Sequence, residues 1–167
     1  MELFKYVVGE KGYDDFEVFT KNLPERVIDP TKESFRLYGS KLYKSWKELG
    51  NAPIIGGFVD LGYSSIETLD GLESVEGYFL SVFNTPIKSL GNLKIVGRDL
   101  NLYDTPNLES LGKLKSVGRN LFLTDTPKLK SLGKLDHVGG RIFVNKGSST
   151  EELVKNSKFA DKVQVRW

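Results

Sequence analysis

The side chains able to do chemistry are few and poorly placed for it. His137 is the only histidine among 167 residues, and there is no cysteine. That removes disulfides, thiolate nucleophiles and thiolate metal sites together. A Ser/His/Asp set, a histidine general base or a histidine metal ligand would have to be built on His137 alone. It aligns with Ile95 and Ser116 in the repeat below, a variable position expected to face water. Asp104 and Asp125 recur beside Thr-Pro pairs, where aspartate caps turns. Asp14, Asp15 and Glu17 are too local to coordinate a cation and suit a solvated loop. Neither a nucleotide-binding glycine loop nor zinc spacing is found in the sequence. The expectation is a protein that is not an enzyme, with no metal and no cofactor.

The elements that would position any site come from a repeat of about 21 residues. Its turns read SLGNLKIVGRDLNLYDTPNLE from Ser89, SLGKLKSVGRNLFLTDTPKLK from Ser110 and SLGKLDHVGGRIFVNKGSS from Ser131. Leu69, Leu90, Leu111 and Leu132 follow at steps of 21. A fixed period of this length specifies stacked coils, each burying its apolar face on its neighbours. The inward positions are Leu90, Leu93, Val96, Leu100, Leu102 and Leu108, with counterparts one and two coils later ending at Leu132, Leu135, Val138, Ile142 and Val144. The Leu-x-Leu pair carries the period of two that marks a strand. Gly97, Gly118 and Gly139 sit where the chain is expected to turn sharply into that strand. Thr-Pro closes it, since proline cannot donate to a ladder. The stacked threonine hydroxyls are expected to bond the backbone of neighbouring coils.

The pattern extends both ways. Leu49-Gly50-Asn51 matches Leu90-Gly91-Asn92, Val59-x-Leu61 matches Leu100-x-Leu102, and Leu80-x-Val82 lies between. Val163-x-Val165 follows Ile142-x-Val144 by 21 and reads as the last strand, after a short capped helix over Ser149–Val154. Phe35-x-Leu37 reads as the first strand, followed by a short helix near Lys41–Glu48. That makes seven strands. A single helix from Asp29-Pro30 is the competing reading there, with Gly39 costing it about 1 kcal/mol. Residues 1–34 do not repeat: Phe4, Tyr6 and Val8 alternate before a Gly-Glu-Lys-Gly turn, and 14–23 are ambiguous. They are read as an N-terminal cap on a solenoid spanning 35–167, one structural domain.

Composition is that of a globular chain, 39% hydrophobic and 28% charged. The opening residues lack a signal-peptide apolar core, and no stretch approaches transmembrane length. A cytoplasmic protein without membrane partners is expected. The net charge of +2 hides a polarity: residues 1–85 hold 9 Lys/Arg against 14 Asp/Glu, and residues 86–146 hold 11 against 5. A basic segment on an acidic base can orient a partner.

The motif L-x-x-L-x-x-V-G-x-x-L-x-L-x-x-T-P-x-L resembles a leucine-rich repeat, in the style of the short, helix-poor coils of receptor L-domains. Thr stands where that family often has Asn, and the cysteine-rich flanks of receptor ectodomains are missing. The motif is also similar to small bacterial and bacteriophage proteins built from L-x-x-V-G-G-x-L-x-L-x-x-T coils. The resemblance covers about residues 35–167. It implies a mainly β, right-handed solenoid with one parallel sheet and short helices in the caps. It implies use in recognition, carries over no catalytic residue, and on the bacteriophage side suggests a host-directed inhibitor or effector in the host cytoplasm.

Alternation turns the residues beside each inward pair outward. Six aromatics occupy such places: Phe58, Phe79, Phe83, Tyr103, Phe122 and Phe143. Exposed aromatics with arginine mark interaction surfaces. A partner protein is therefore expected on Tyr103, Phe122, Phe143, Phe79 and Phe83, with Arg119, Arg141 and Lys162 at the rim. Phe4, Tyr6, Phe16 and Phe19 of the cap are candidates to cover Phe58, Phe79 and Phe83. Homodimerisation through this face is a further option. The alternative function is nucleic-acid binding by the basic coils of residues 86–146. Lys94, Arg98, Lys113, Lys115, Arg119, Lys130 and Lys134 would then meet phosphates, with Tyr103, Phe122 or Phe143 stacking on bases. A hydrolase acting on an acidic polymer would need clustered outward carboxylates, and Asp60 and Asp99 stand two strands apart.

Overall fold

A computed structural model describes residues 35–36, 43–49 and 53–166. The cap and the alternating Phe4, Tyr6 and Val8 lie outside the described residues. Each coil feeds three parallel ladders. The first is a seven-stranded sheet of β1 (Phe35–Arg36), β3 (Val59–Asp60), β5 (Phe79–Ser81), β7 (Asp99–Asn101), β9 (Leu121–Phe122), β11 (Ile142–Asn145) and β12 (Val163–Arg166). These are the seven strands the Leu-x-Leu spacing predicts. The second is a five-stranded sheet of β2 (Ile54–Ile55), β4 (Ser74–Val75), β6 (Ile95–Val96), β8 (Ser116–Val117) and β10 (His137–Val138). The third is a line of single bridges, Ser45 to Thr68 to Ser89 and Ser110 to Ser131. The expected parallel sheet is thus joined by a second. Its strands are two residues long, too short for alternation to announce them.

One inward residue per coil feeds each ladder, and the same place in successive coils forms a buried row. Val59, Leu80, Leu100, Leu121 and Ile142 line the first sheet; Ile55, Val75, Val96, Val117 and Val138 line the second. Trp46, Leu69, Leu90 and Leu111 line the third, where Leu132 is only half-buried because its row ends there. The alignment of Leu49 with Leu90 shifts by three residues. The bridges put Ser45 beside Thr68, so Trp46, fully buried, takes the leucine's place in the first coil. The short helix expected near Lys41–Glu48 is reduced to a 3-10 turn at Lys47–Leu49, because Ser45 is held in the ladder; residues 41 and 42 lie outside the described residues.

The two glycine positions of the repeat do different jobs. The turn belongs to Gly91, Gly112 and Gly133, at φ of 57, 56 and 58°, a region L-residues enter at a cost. The hydroxyls of Ser89, Ser110 and Ser131 accept their N–H groups at 3.0 Å. Gly97, Gly118 and Gly139, expected to be turn residues, have no positive φ and are instead sites of close approach. A Cβ on each would lie 2.1, 1.9 and 2.1 Å from the carbonyl oxygen of Glu76, Gly97 and Gly118 in the preceding coil. After β3, β5, β7 and β9 the chain does enter the left-handed region, at Tyr63, Asn84, Asp104 and Asp125. Asn and Asp tolerate that region, which is why Asp104 and Asp125 recur at these turns.

The threonines are buried, and their bonds are made within their own coil. Thr85, Thr105 and Thr126 donate to the carbonyls of Val82, Leu102 and Leu123, three residues back, at 2.6–2.8 Å. Backbone groups of the neighbouring coil are already paired in the ladders, so the freed turn carbonyl is the nearer acceptor. Only Thr126 reaches onward, to Thr150 at 3.2 Å. Thr150 belongs to α1 (Ser149–Lys155), the predicted short helix. Ser148 caps it by accepting the Glu151 N–H, and Glu151 in turn accepts the Gly147 N–H at 2.5 Å. Val154 and Phe159 complete the core at this end.

Candidate functional site

The outward face of the first sheet is built by register. Asp60, Ser81, Asn101, Phe122, Phe143 and Gln164 form one row across it, one residue per coil. Two residues along the strand on either side run the rows through Phe79 and Asp99, and through Tyr103 and Asn145. The strand ladder brings Phe122 and Phe143 side by side, with ring centroids 4.7 Å apart and planes 7° from parallel. That separation matches the spacing of about 4.8 Å between strands. The ring faces are therefore directed along the stack of coils and the ring edges toward solvent. The guanidinium of Arg166, on the next strand, lies 4.7 Å over the Phe143 ring. Phe143 is thus held between Phe122 and Arg166, with both faces in use.

The other aromatics form a separate group on the earlier coils. Phe79 stacks on Phe58 at 5.1 Å, and Phe83 meets Tyr63 edge-on at 4.9 Å while lying across Gly62, where a Cβ would come within 2.3 Å of its ring. Phe4, Tyr6, Phe16 and Phe19, the proposed cover, lie outside the described residues. Tyr103 stands alone between the two groups, 44% exposed. It borders a groove of about 530 Å³ lined also by Asp104, Pro106, Asp125, Pro127 and Asn145. Its N–H is held by Asn101 Oδ1 at 3.0 Å.

Arg119 and Arg141 flank the phenylalanine pair. A side-chain ladder sets this edge of the sheet: Asp99 Oδ1 accepts the Asn120 N–H and Asn120 Oδ1 accepts the Arg141 N–H, at 3.1 and 3.0 Å. Arg119 lies 4.0 Å from Asp99. No described carboxylate comes within 4 Å of the side chains of Arg141, Lys162 or Arg166, whereas Lys44, Lys88, Lys94 and Lys130 of the crossings each have one.

Those crossing residues are largely occupied, one coil to the next. Lys94 pairs with Glu73 at 2.6 Å and Lys130 with Glu109 at 3.9 Å. Lys113 donates to Asn92 at 2.6 Å, and Arg98 lies 5.6 Å over the exposed Tyr78 ring. Of the six candidate phosphate contacts besides Arg119, Lys115 and Lys134 are left without a described side-chain partner of any kind. Several of these pairs sit at an offset of 21, a signal the sequence carries plainly in Glu67/Lys88, Glu73/Lys94 and Glu109/Lys130. Lys88, followed by Lys44, holds the Glu67 carboxyl below its usual range. Lys158 does the same for Asp136, and Lys155 with the Gly147 N–H for Glu151.

His137 is exposed on β10, in the row of Ser116 and Ile95. Among the described residues no group of three or more His, Cys, Asp or Glu is arranged to hold a metal ion. No described helix is long and apolar enough to cross a membrane. Arg166 reaches Phe143 from the next strand and two residues further along, a contact that the 21-residue spacing does not announce. Comparison with protein-family models, with curated proteins and with solved structures gives no match, so the chain is defined by its own geometry, a β-solenoid of stacked parallel coils of about 21 residues.

Proposed function

We propose that the chain is a non-catalytic recognition module on a leucine-rich-repeat-like scaffold, and that it binds a partner protein through the outward face of its seven-stranded sheet. The observation that carries this reading is the Phe122–Phe143–Arg166 stack, held rigid by strand register on a solvent-facing sheet. Rigid aromatics beside arginine contribute contact area without much loss of side-chain freedom on binding. Tyr103 extends the surface, Arg119 and Arg141 border it, and Phe79 and Phe83 continue it toward the earlier coils. Protein is favoured over nucleic acid on two grounds. The lysines of the crossings are mostly tied to neighbouring coils, and Phe143 offers no ring face on which a base could stack. The resemblance to bacteriophage coils suggests, within this reading, a host-directed inhibitor or effector acting in the cytoplasm.

Affinity capture from a cell lysate tests this reading. A Phe122→Asp/Phe143→Asp variant, still folded by circular dichroism, is expected to lose a protein that the wild type retains. Equal capture by both, or capture only of nucleic acid that disappears at high salt, would overturn it.

A further inference from the structure

We infer that the segment recognised at the Phe122–Phe143 end of the sheet is an acidic peptide, one that alternates carboxylate and apolar side chains; the inference rests on the sheet-face reading above. Three features of the surface converge on that chemistry. The first is ring orientation. An aromatic ring is negative on its faces and positive at its edges. Both faces of Phe143 are covered, by Phe122 and by Arg166, so what the pair offers to a partner is ring edge. Ring edges accept apolar contact and favour oxygen acceptors over cations.

The second feature is the guanidinium itself. The Arg166 guanidinium lies 4.7 Å from the centroid of the Phe143 ring, which places its planar fork of N–H donors, the group that suits a carboxylate, at the aromatic pair. The third is the absence of internal compensation. Arg141 stands just before β11, Lys162 just before β12 and Arg166 on β12, and no described carboxylate lies within 4 Å of their side chains. Several other cations do have a carboxylate in reach, as in Lys94–Glu73, Lys155–Glu151 and Lys158–Asp136, and what sets this group apart is that its three uncompensated charges stand together beside the aromatic pair. An acidic segment supplies the missing charge, and its apolar side chains meet the ring edges. A nucleic-acid strand also supplies negative charge, but its bases find no free face on Phe143.

Isothermal titration with three capped octapeptides, alternating Glu/Leu, Thr/Leu and Lys/Leu, together with a 16-residue oligothymidylate, tests the inference. The Glu/Leu peptide is expected to bind at least about tenfold more tightly than the Thr/Leu peptide, a difference of about 1.4 kcal/mol, and the Lys/Leu peptide not measurably. An Arg141→Glu/Arg166→Glu variant is expected to reverse the order of the Glu/Leu and Lys/Leu peptides. Should that variant disturb the ring stack, Arg141→Ala/Lys162→Ala leaves Arg166 in place and is expected to reduce the preference for Glu/Leu over Thr/Leu at least about threefold, and an unchanged preference would overturn the inference. Equal affinity for the Glu/Leu and Thr/Leu peptides, both lost in Phe122→Asp/Phe143→Asp, would overturn the acidic partner and leave the sheet-face reading standing. Tighter binding of the oligothymidylate, or no peptide binding at all, would overturn the inference, and the lysate capture decides the wider reading independently.

Discussion

Replacing Gly118 with alanine is expected to destabilise the protein by about 3 kcal/mol, although the change adds one methyl group. The new Cβ would lie 1.9 Å from the carbonyl oxygen of Gly97 and 2.7 Å from its carbonyl carbon. Both atoms are backbone, so no side chain can rotate away. Room can be made only by separating two coils at the edge of the five-stranded sheet, where Gly118 donates to Val96 at 2.9 Å and Gly139 donates to Val117 at 2.9 Å. Strain in one coil is passed to the next, because each coil packs only on its neighbours. Gly112→Ala is the matching control. It has no atom within 4 Å of the new Cβ and a φ of 56°, so its cost is the left-handed conformation alone, about 1 kcal/mol. Denaturant midpoints of the two variants should differ clearly. A Gly118→Ala protein as stable as Gly112→Ala would mean that the coils are not packed at this distance.

The second large effect is expected in the leucine row that runs through every coil. Leu111 and Leu132 occupy the same place 21 residues apart, with the same flanking Ser and Gly. Leu111 is fully buried between the coils of Leu90 and Leu132, whereas Leu132 has a coil on one side only and is half-buried. Leu111→Ala therefore removes side-chain contacts on both sides and leaves a cavity, at a cost of about 3–5 kcal/mol. Leu132→Ala opens onto solvent that can fill the space, and about half that loss or less is expected. Equilibrium unfolding of the two variants measures the difference. Equal losses would show that the end coil is covered as completely as an inner one.

The unequal behaviour of these residues explains what could be read in the sequence. Period and alternation report burial, so the inward leucines, the seven strands of the first sheet, the capped helix and the final Val163-x-Val165 strand were all legible. Each repeats the same pressure to face the core. The second sheet was not, because Ile95–Val96 and its equivalents are two-residue segments, and two residues show no period. The first coil slipped in register because Trp46 replaces leucine and the spacing to Leu69 is 23 rather than 21, so Leu49 offered the closer-looking match. The glycines could be seen to recur, but recurrence alone does not separate a left-handed turn at Gly112 from a carbonyl contact at Gly118. Likewise the recurring threonines suggested bonds to the backbone of neighbouring coils, and spacing could not show that the acceptor is a carbonyl three residues back in the same coil.

The site was legible to the same depth. Alternation placed Phe122 and Phe143 outward, and the 21-residue spacing put them on adjacent strands. That the rings stack with their edges to solvent follows from side-chain packing, which no spacing rule contains. The lysines of the crossings looked like one basic surface when counted by segment. Taken at the repeat offset, many face a carboxylate or amide one coil away, and the surface becomes a set of local pairs. Lys115 and Lys134 stay without such a partner, and so does the group of Arg141, Lys162 and Arg166 gathered beside the aromatic pair.

The sheet face as the contact surface is tested most directly by photocrosslinking in a cell lysate, with p-benzoylphenylalanine placed at position 122 in one preparation and at position 115 in another. Position 122 keeps an aromatic ring on β9, and Lys115 lies on a crossing beside the five-stranded sheet. A discrete adduct formed from position 122, removed by protease and unaffected by nuclease, with none from position 115, is the expected result. An adduct formed only from position 115, or one from position 122 that nuclease removes, would contradict recognition of a protein through this face.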